Sequence, residues 1–267
     1  MYAKRGNRVI SNYDFIIDGM QWSFSRVNSF GNCKYGWYLN YVECVDKIDN
    51  FFAEYGILYH EILEKFFSGE LEIFQLLKFY EEHYNECVKS SPPPYPEGMA
   101  EKYYNAGIDF FENFDFDLSL YDVVFIEAEI DVILGKYNVI VKPDLVLREK
   151  KTGKYILFDY KTADPFGKNV TPKKEKIEEY KKQMYLYCWG IEQKYEFHID
   201  EIILWFVRAG KEYSIKFNQE ECQKTLRWFK NEIHKIEQEE EFKATPSKYF
   251  CENICGVRLI CPYKNGE

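Results

Sequence analysis

The stretch VKPDLVLREKKTGKYILFDYKTA, residues 141–163, constrains the fold of this chain more than any other. It reads as two apolar strands joined by a short polar turn, yet Asp144, Asp159 and Lys161 sit inside the strands. A strand with a buried face avoids charge, because an unpaired buried carboxylate is costly. Thr152 and Gly153 give a two-residue hairpin signal. With those two as the loop, Lys151 pairs with Lys154 and Asp144 stands opposite Lys161. Asp159 then faces Val146, on the same sheet face as Asp144 and diagonal to it. Diagonal neighbours lie roughly 7–8 Å apart, so two carboxylates can address one divalent cation, with the lysine near a phosphate bound to it. The plain alternative is a half-exposed hairpin whose charges face water, Asp144 and Lys161 forming an ordinary cross-strand pair.

The 267 residues suffice for one elaborated domain or two small ones. Aromatics at 19% imply a large core and surfaces on which bases can stack. No stretch approaches the roughly 20 apolar residues of a membrane span, and residues 1–15 lack a signal-peptide core, so a cytoplasmic chain with no membrane partner is expected. A net charge of −9 argues against non-specific coating of nucleic acid. It leaves room for a local basic groove. The segment following Lys161 carries Lys168, Lys173, Lys174, Lys176, Lys181 and Lys182, either a solvated helix face balanced by glutamates or a grip on phosphates.

Apolar spacing predicts a helix over residues 54–68, with Ile57, Leu58, Ile62, Leu63, Phe66 and Phe67 on its inner side. Further helices are predicted over 71–89 and up to Phe114, separated by the breaker SSPPPYPEG. Three antiparallel strands follow from 121, then a long helix from Pro172 to Tyr195, strands at 201–210 and 212–217, and a helix from Asn218 to about Glu240. This is an α/β chain with a mixed sheet.

Pro143-Asp144, a gap of fourteen residues, then Asp159-Tyr160-Lys161 resembles the PD-(D/E)XK nuclease superfamily. Four features resemble its RecB-like branch. GILYHEILEKFFSG, with Gly56 and His60, is similar to the branch's helical histidine motif; Tyr180, Gln183 and Tyr187 lie three and four residues apart on one helix face, like its Tyr-x-x-Gln-x-x-x-Tyr helix. Glu127, Glu129 and Asp131 on a preceding strand face match its acidic strand, Glu129 being the selected ligand. The early segment SFSRVNSFGNC and the tail CENICGVRLIC resemble the cysteine segments of the iron–sulfur members. Lys34 stands where a proline is usual, and three residues rather than two separate Cys251 from Cys255.

The resemblance, which spans residues 22–263, implies a restriction-endonuclease-like core flanked by helices, an N-terminal helical subdomain, and a cysteine-ligated cluster joining the chain ends. The implied divisions are 1–53, 54–120, 121–217 and 218–267. It further implies a Mg2+- or Mn2+-dependent deoxyribonuclease, with His60, Asp144, Asp159, the Tyr160 carbonyl and Glu129 around the metal. Lys161, Gln183 and Tyr187 would complete the catalytic set. A [4Fe-4S] cluster on Cys33, Cys251, Cys255 and Cys261 is implied, with Cys44 an alternative early ligand and structural Zn2+ an alternative occupant. The expected substrate is single-stranded DNA from its ends, with a nuclease, integrase or helicase as a conceivable partner, as for stand-alone CRISPR-associated or phage nucleases. A non-catalytic DNA-end-binding scaffold, a ribonuclease and a structure-specific endonuclease are the competing readings.

Overall fold

The computed structural model describes residues 13–167 and 171–264. Lys168, counted above in the lysine-rich segment, lies outside them. The helices are α1 (Asp14–Asp18), α2 (Phe24–Phe30), α3 (Lys34–Tyr41), α4 (Phe51–Phe67), α5 (Leu76–Cys87), α6 (Met99–Glu112), α7 (Lys174–Lys194), α8 (Gln219–Glu237) and α9 (Lys248–Asn253). The strands are β1 (Tyr121–Ile126), β2 (Ile130–Leu134), β3 (Tyr137–Val141), β4 (Leu145–Glu149), β5 (Tyr155–Tyr160), β6 (Glu201–Phe206) and β7 (Lys211–Lys216). Among the described residues, no helix is long and apolar enough to cross a membrane.

The chain divides into two compact units. One comprises residues 49–131 and 141–225 and contains a five-stranded sheet in the order β1-β4-β5-β6-β7. The pairings β1–β4, β4–β5 and β6–β7 are antiparallel, and β5–β6 is parallel, so the sheet is mixed. Side chains alternate across it. Leu145, Leu147, Phe158, Tyr160 and Trp205 on one face share a core with Tyr55, Leu58, Tyr59, Ile62, Leu63, Phe66 and Phe67 of α4. Each large apolar side chain so buried contributes about 1.5–3 kcal/mol before chain entropy is counted. Residues 54–112 are thus a layer on the sheet, sharing its core.

Helix α4 begins three residues before the predicted start because Asn50 caps it: Oδ1 accepts from the N–H groups of Phe52 and Ala53 at 3.0 and 3.2 Å. Ile57, expected inside, is exposed. On the opposite sheet face Val146, Leu157 and Leu204 are fully buried, and α7 packs against β5. Gly190 lets α7 close on Val141, the last residue of β3; a Cβ there would stand 2.6 Å from a Val141 methyl.

Two expectations about the strands need correction. The first two predicted strands are each broken, into β1 with β2 and β3 with β4. A register shift between Val123 and Phe125 and a left-handed backbone at Glu127 (φ +46°) end β1. The hairpin register also differs. Its loop is Lys150–Gly153, closed by Glu149 N–H to Lys154 O at 2.9 Å, and Gly153 takes the left-handed conformation at φ +75°. Leu145 therefore pairs with Phe158, and the next position outward sets Asp144 opposite Asp159, not Lys161.

The second unit comprises residues 13–48, 132–140 and 226–264. Trp22 bridges Val139, and Glu237, buried, is held by Lys136 Nζ at 2.8 Å and by the Tyr137 hydroxyl at 3.2 Å. Both terminal segments lie in this unit: the Ile48 N–H donates to Gly256 O, and Leu39 packs with Val257 and Cys261.

Candidate active site

Asp144 leaves β4 at its N-terminal end and Asp159 lies near the C-terminal end of the adjacent β5, so an antiparallel ladder brings two distant carboxylates to one end of the sheet. Asp144 Oδ2 accepts the Tyr160 N–H at 2.8 Å. The Tyr160 ring also stands against His60, with 5.5 Å between ring centres. His60 comes from the face of α4 that lies toward the sheet end. Its Nδ1 is 2.8 Å from Glu127 Oε1 and 3.9 Å from Asp144 Oδ1. His60, Glu127 and Asp144 offer three ligand atoms within 4.8 Å of one another.

Glu127, not the selected Glu129, is the acidic-strand residue at this site. Glu129 is exposed. The left-handed turn at Glu127, an uncommon conformation for a side chain of that kind, redirects its carboxylate out of the strand alternation. The Glu127 N–H donates to Asp144 O at 2.9 Å, tying the break in β1 to the start of β4. Lys142 Nζ lies 3.2 Å from Glu127 Oε2, a residue that motif reading did not single out.

Asp159 is 1% exposed. Lys161 Nζ stands 2.5 Å from its Oδ2, but off the direction a hydrogen bond needs, and neither carboxylate oxygen has a hydrogen-bond partner among the described residues. Lys161 Nζ instead donates to Gln183 Oε1 at 3.0 Å, and Gln183 Nε2 donates to the Tyr187 hydroxyl at 2.8 Å. The ammonium also lies 5.0 Å from the Tyr180 ring centre. The helical spacing of Tyr180, Gln183 and Tyr187 thus delivers Tyr180 and Gln183 to one lysine and Tyr187 to Gln183.

Burial, followed by the Asp159 charge, pushes the Asp144 carboxyl up to about 7, against His60, Lys161 and the Tyr160 N–H. Burial is also the largest single influence on Lys161 and acts downward, but Asp159 and Asp144 outweigh it and keep the ammonium charged. His60 follows the same pattern: burial lowers its pKa, and Glu127, Asp144 and Asp159 raise it further than that. Glu127 is held ionised, since His60 and Lys142 outweigh the effect of burial.

A buried carboxylate with no hydrogen bonds, beside a second buried carboxyl and a histidine–glutamate pair, is a cation site by its chemistry. Oxygen donors with one imidazole fit Mg2+ or Mn2+. A cleft of about 740 Å³ opens on it, lined by Phe52, Gly56, Ile57, Glu64 and Lys142 as well as His60 and Glu127. In the lysine-rich start of α7, Lys176 pairs with Glu179 and Lys181 with Glu178.

The eight cysteines are free thiols. In the second unit Cys33 caps α3, its Sγ accepting the Gly36 N–H at 3.4 Å. Burial pushes the Cys255 thiol up, as do the neighbouring sulfurs of Cys261, Cys251 and Cys33, against a backbone hydrogen bond from Val257. Cys33 is therefore grouped with the three late cysteines. Cys44 is exposed and contacts Tyr41 O at 3.9 Å. Among the described residues no three of the four grouped sulfurs lie within 4.8 Å of one another.

No curated protein matches this chain. A crystal structure of a protein from Eubacterium rectale, to which exonuclease activity is ascribed, is similar at 10% identity and a TM-score of 0.48, covering 87% of this chain and 88% of that one. The family model of the PD-(D/E)XK nuclease superfamily matches residues 21–262, and with Asp144, Asp159 and Lys161 gathered as described, the chain belongs to that superfamily.

Proposed function

We propose that this chain is a divalent-metal-dependent deoxyribonuclease that degrades single-stranded DNA from an end. The observation that carries the reading is the buried Asp159 carboxylate, without a hydrogen bond beside Lys161, with His60, Glu127 and Asp144 converging at the same end of the sheet. His60, Asp144 and Asp159 would hold Mg2+ or Mn2+, with Glu127 as a fourth donor or as the anchor of His60. Such an ion neutralises charge on the scissile phosphate and lowers the pKa of a bound water.

The protein's own groups do the rest. Glu127 accepting the His60 Nδ1–H leaves Nε2 with its lone pair. Gln183 and Asp159 hold the Lys161 ammonium in place, where it meets negative charge developing on the phosphate without reorganising. Tyr187 fixes Gln183 in turn, so the lysine's position is set two side chains deep.

The preference for a single strand rests on the cleft along α4, where Phe52 and the exposed Ile57 offer apolar surface to unpaired bases. No phosphate-binding loop of a helicase motor occurs in the sequence, so a duplex would have to arrive melted. The test compares a linear single strand, a circular single strand and a blunt duplex, each with Mn2+ and with EDTA. Loss of the linear strand alone is expected. Rapid cutting of the circle removes the end requirement, preferential loss of the duplex removes the single-strand preference, and cleavage in EDTA removes the metal.

We further propose a [4Fe-4S] cluster on Cys33, Cys251, Cys255 and Cys261. Cys33 and Cys255 line one small cavity of this unit, and the Cys251 and Cys261 sulfurs lie near enough to act on the Cys255 thiol. The cluster's contribution would be to tie the two terminal segments together.

A further inference from the structure

We propose that Arg208, with the Thr162 hydroxyl, holds the phosphate next to the scissile one, so that the DNA strand runs over Gly56 as it passes Lys161; this rests on the nuclease reading above. The two residues are fixed relative to the catalytic lysine by backbone. The Lys161 N–H donates to Trp205 O at 2.8 Å, and the Val207 N–H donates to Lys161 O at 3.1 Å. Thr162 and Arg208 are therefore the next residues along two bonded segments. The Arg208 Nε–H donates to Thr162 O at 2.9 Å, and its guanidinium lies 4.4 Å from the Tyr103 ring centre.

Those contacts orient the guanidinium and use one of its five donors. Among the described residues no carboxylate pairs with Arg208, and its terminal amino groups have no hydrogen-bond partner. In a chain with net charge −9, where neighbours such as Lys65, Lys142 and Lys161 find a glutamate or aspartate, this arginine is braced and left open. A preorganised guanidinium fork suits a phosphate better than any other common ligand.

Gly56 supplies the second line of argument. It lies inside α4, where glycine is unfavourable relative to alanine. Packing does not demand it: a Cβ there would meet only Thr162 Oγ1, at 3.7 Å, an ordinary contact. Yet Gly56 lines the cleft with Phe52, His60 and Lys142. Leaving out the side chain lowers the cleft floor to the helix backbone beside the Thr162 hydroxyl, which has no hydrogen-bond partner among the described residues. A sugar–phosphate backbone needs that kind of clearance. Arg208 is a positioning residue on this view, acting on a phosphate that does not react.

The test uses the full chain and a fluorescent single-stranded oligonucleotide, with binding followed in EDTA so that no cleavage occurs. Arg208→Gln should weaken binding about tenfold and make the dependence of log affinity on log salt shallower by about 0.7. Arg208→Lys should recover part of both, with melting temperatures unchanged. Oligonucleotides carrying one uncharged methylphosphonate, moved along the strand, locate the contact. Wild type should lose affinity one nucleotide from the cut site mapped with Mn2+, and Arg208→Gln should lose nothing more there. Gly56→Ala should raise the melting temperature slightly and weaken binding. An unchanged salt slope in Arg208→Gln, or unchanged binding in Gly56→Ala, overturns the proposal. Wild type that binds the strand but never cuts it with Mn2+ overturns the nuclease reading instead, while the binding comparisons still decide the role of Arg208.

Discussion

Lys161 and Gln183, 22 positions apart in the chain, are joined by a 3.0 Å hydrogen bond in which the ammonium donates to the amide oxygen. The amide nitrogen is committed to the Tyr187 hydroxyl, so the glutamine cannot turn to present its other end without breaking both contacts. Gln183→Ala should therefore leave Lys161 tethered only by Asp159 and the Tyr180 ring, and freer to rotate away from the phosphate. Single-turnover cleavage should fall about 10- to 100-fold with little change in substrate affinity. Leaving the buried Tyr187 hydroxyl without its partner should cost about 1–3 kcal/mol in urea unfolding. An unchanged cleavage rate would assign the Tyr180–Tyr187 face to packing alone.

Asp144 sets the pH behaviour of the metal-free protein. Its carboxyl is raised from 3.8 to about 7, so between about pH 4 and 7 the folded chain holds this proton more tightly than the unfolded chain does. Stability must then fall as pH rises through that window. His60, also raised, acts in the same direction, its contribution being present below its unfolded pKa and lost as pH passes the folded value. In EDTA the melting temperature should drop by several degrees from pH 5 to pH 8. Asp144→Asn, which has no proton to lose, should flatten most of the drop, and Mn2+ should stabilise wild type more at pH 8 than at pH 5. A melting temperature that rises across this range in EDTA would contradict the burial of an ionising Asp144.

Glu127 and Glu129 offer a paired comparison. Glu127 touches His60 and Lys142, whereas Glu129 faces solvent two residues on. Glu127→Gln should weaken Mn2+ binding, read by calorimetry, by roughly tenfold or more, as removal of such a histidine partner does elsewhere. Glu129→Gln should leave it unchanged. Asp159→Ala and Lys161→Ala should abolish cleavage outright, the first by removing a ligand and the second by removing charge stabilisation of the transition state.

That comparison also marks where sequence reading stops. The α4 periodicity, the long α7 helix and the Asp144, Asp159 and Lys161 constellation are legible because each depends on local spacing. The hairpin register is not, since Thr152-Gly153 and a four-residue loop ending at Gly153 use nearly the same letters and differ in where the left-handed residue falls. Unbroken alternation through IEAEID puts Glu127, Glu129 and Asp131 on one face, so spacing does not separate Glu129 from Glu127. Only the backbone reveals that the strand ends at a left-handed Glu127. Arg208 carries no motif, and its role depends on a parallel β5–β6 pairing made across more than forty residues.

The cysteines supply the last prediction. Cys33, Cys251, Cys255 and Cys261 come together from the two terminal segments of one compact unit, which has a small apolar cluster of Leu39, Val257 and Cys261 around them. Ligation takes the proton from each thiol and joins the two segments through the bound group, so a cluster should contribute directly to the stability of that unit. Protein purified without oxygen should be brown and hold about four iron and four sulfide per chain. Substituting serine at any one of the four should bleach it and lower the melting temperature of the unit they share. Serine at Cys44 should leave the colour intact, because that thiol lies apart on Tyr41, and the buried Cys188 and Cys222 should be equally silent. Colourless protein with one zinc per chain would replace the iron–sulfur cluster by structural zinc. Colour lost on changing Cys44 but kept on changing Cys33 would show that the early ligand had been misassigned.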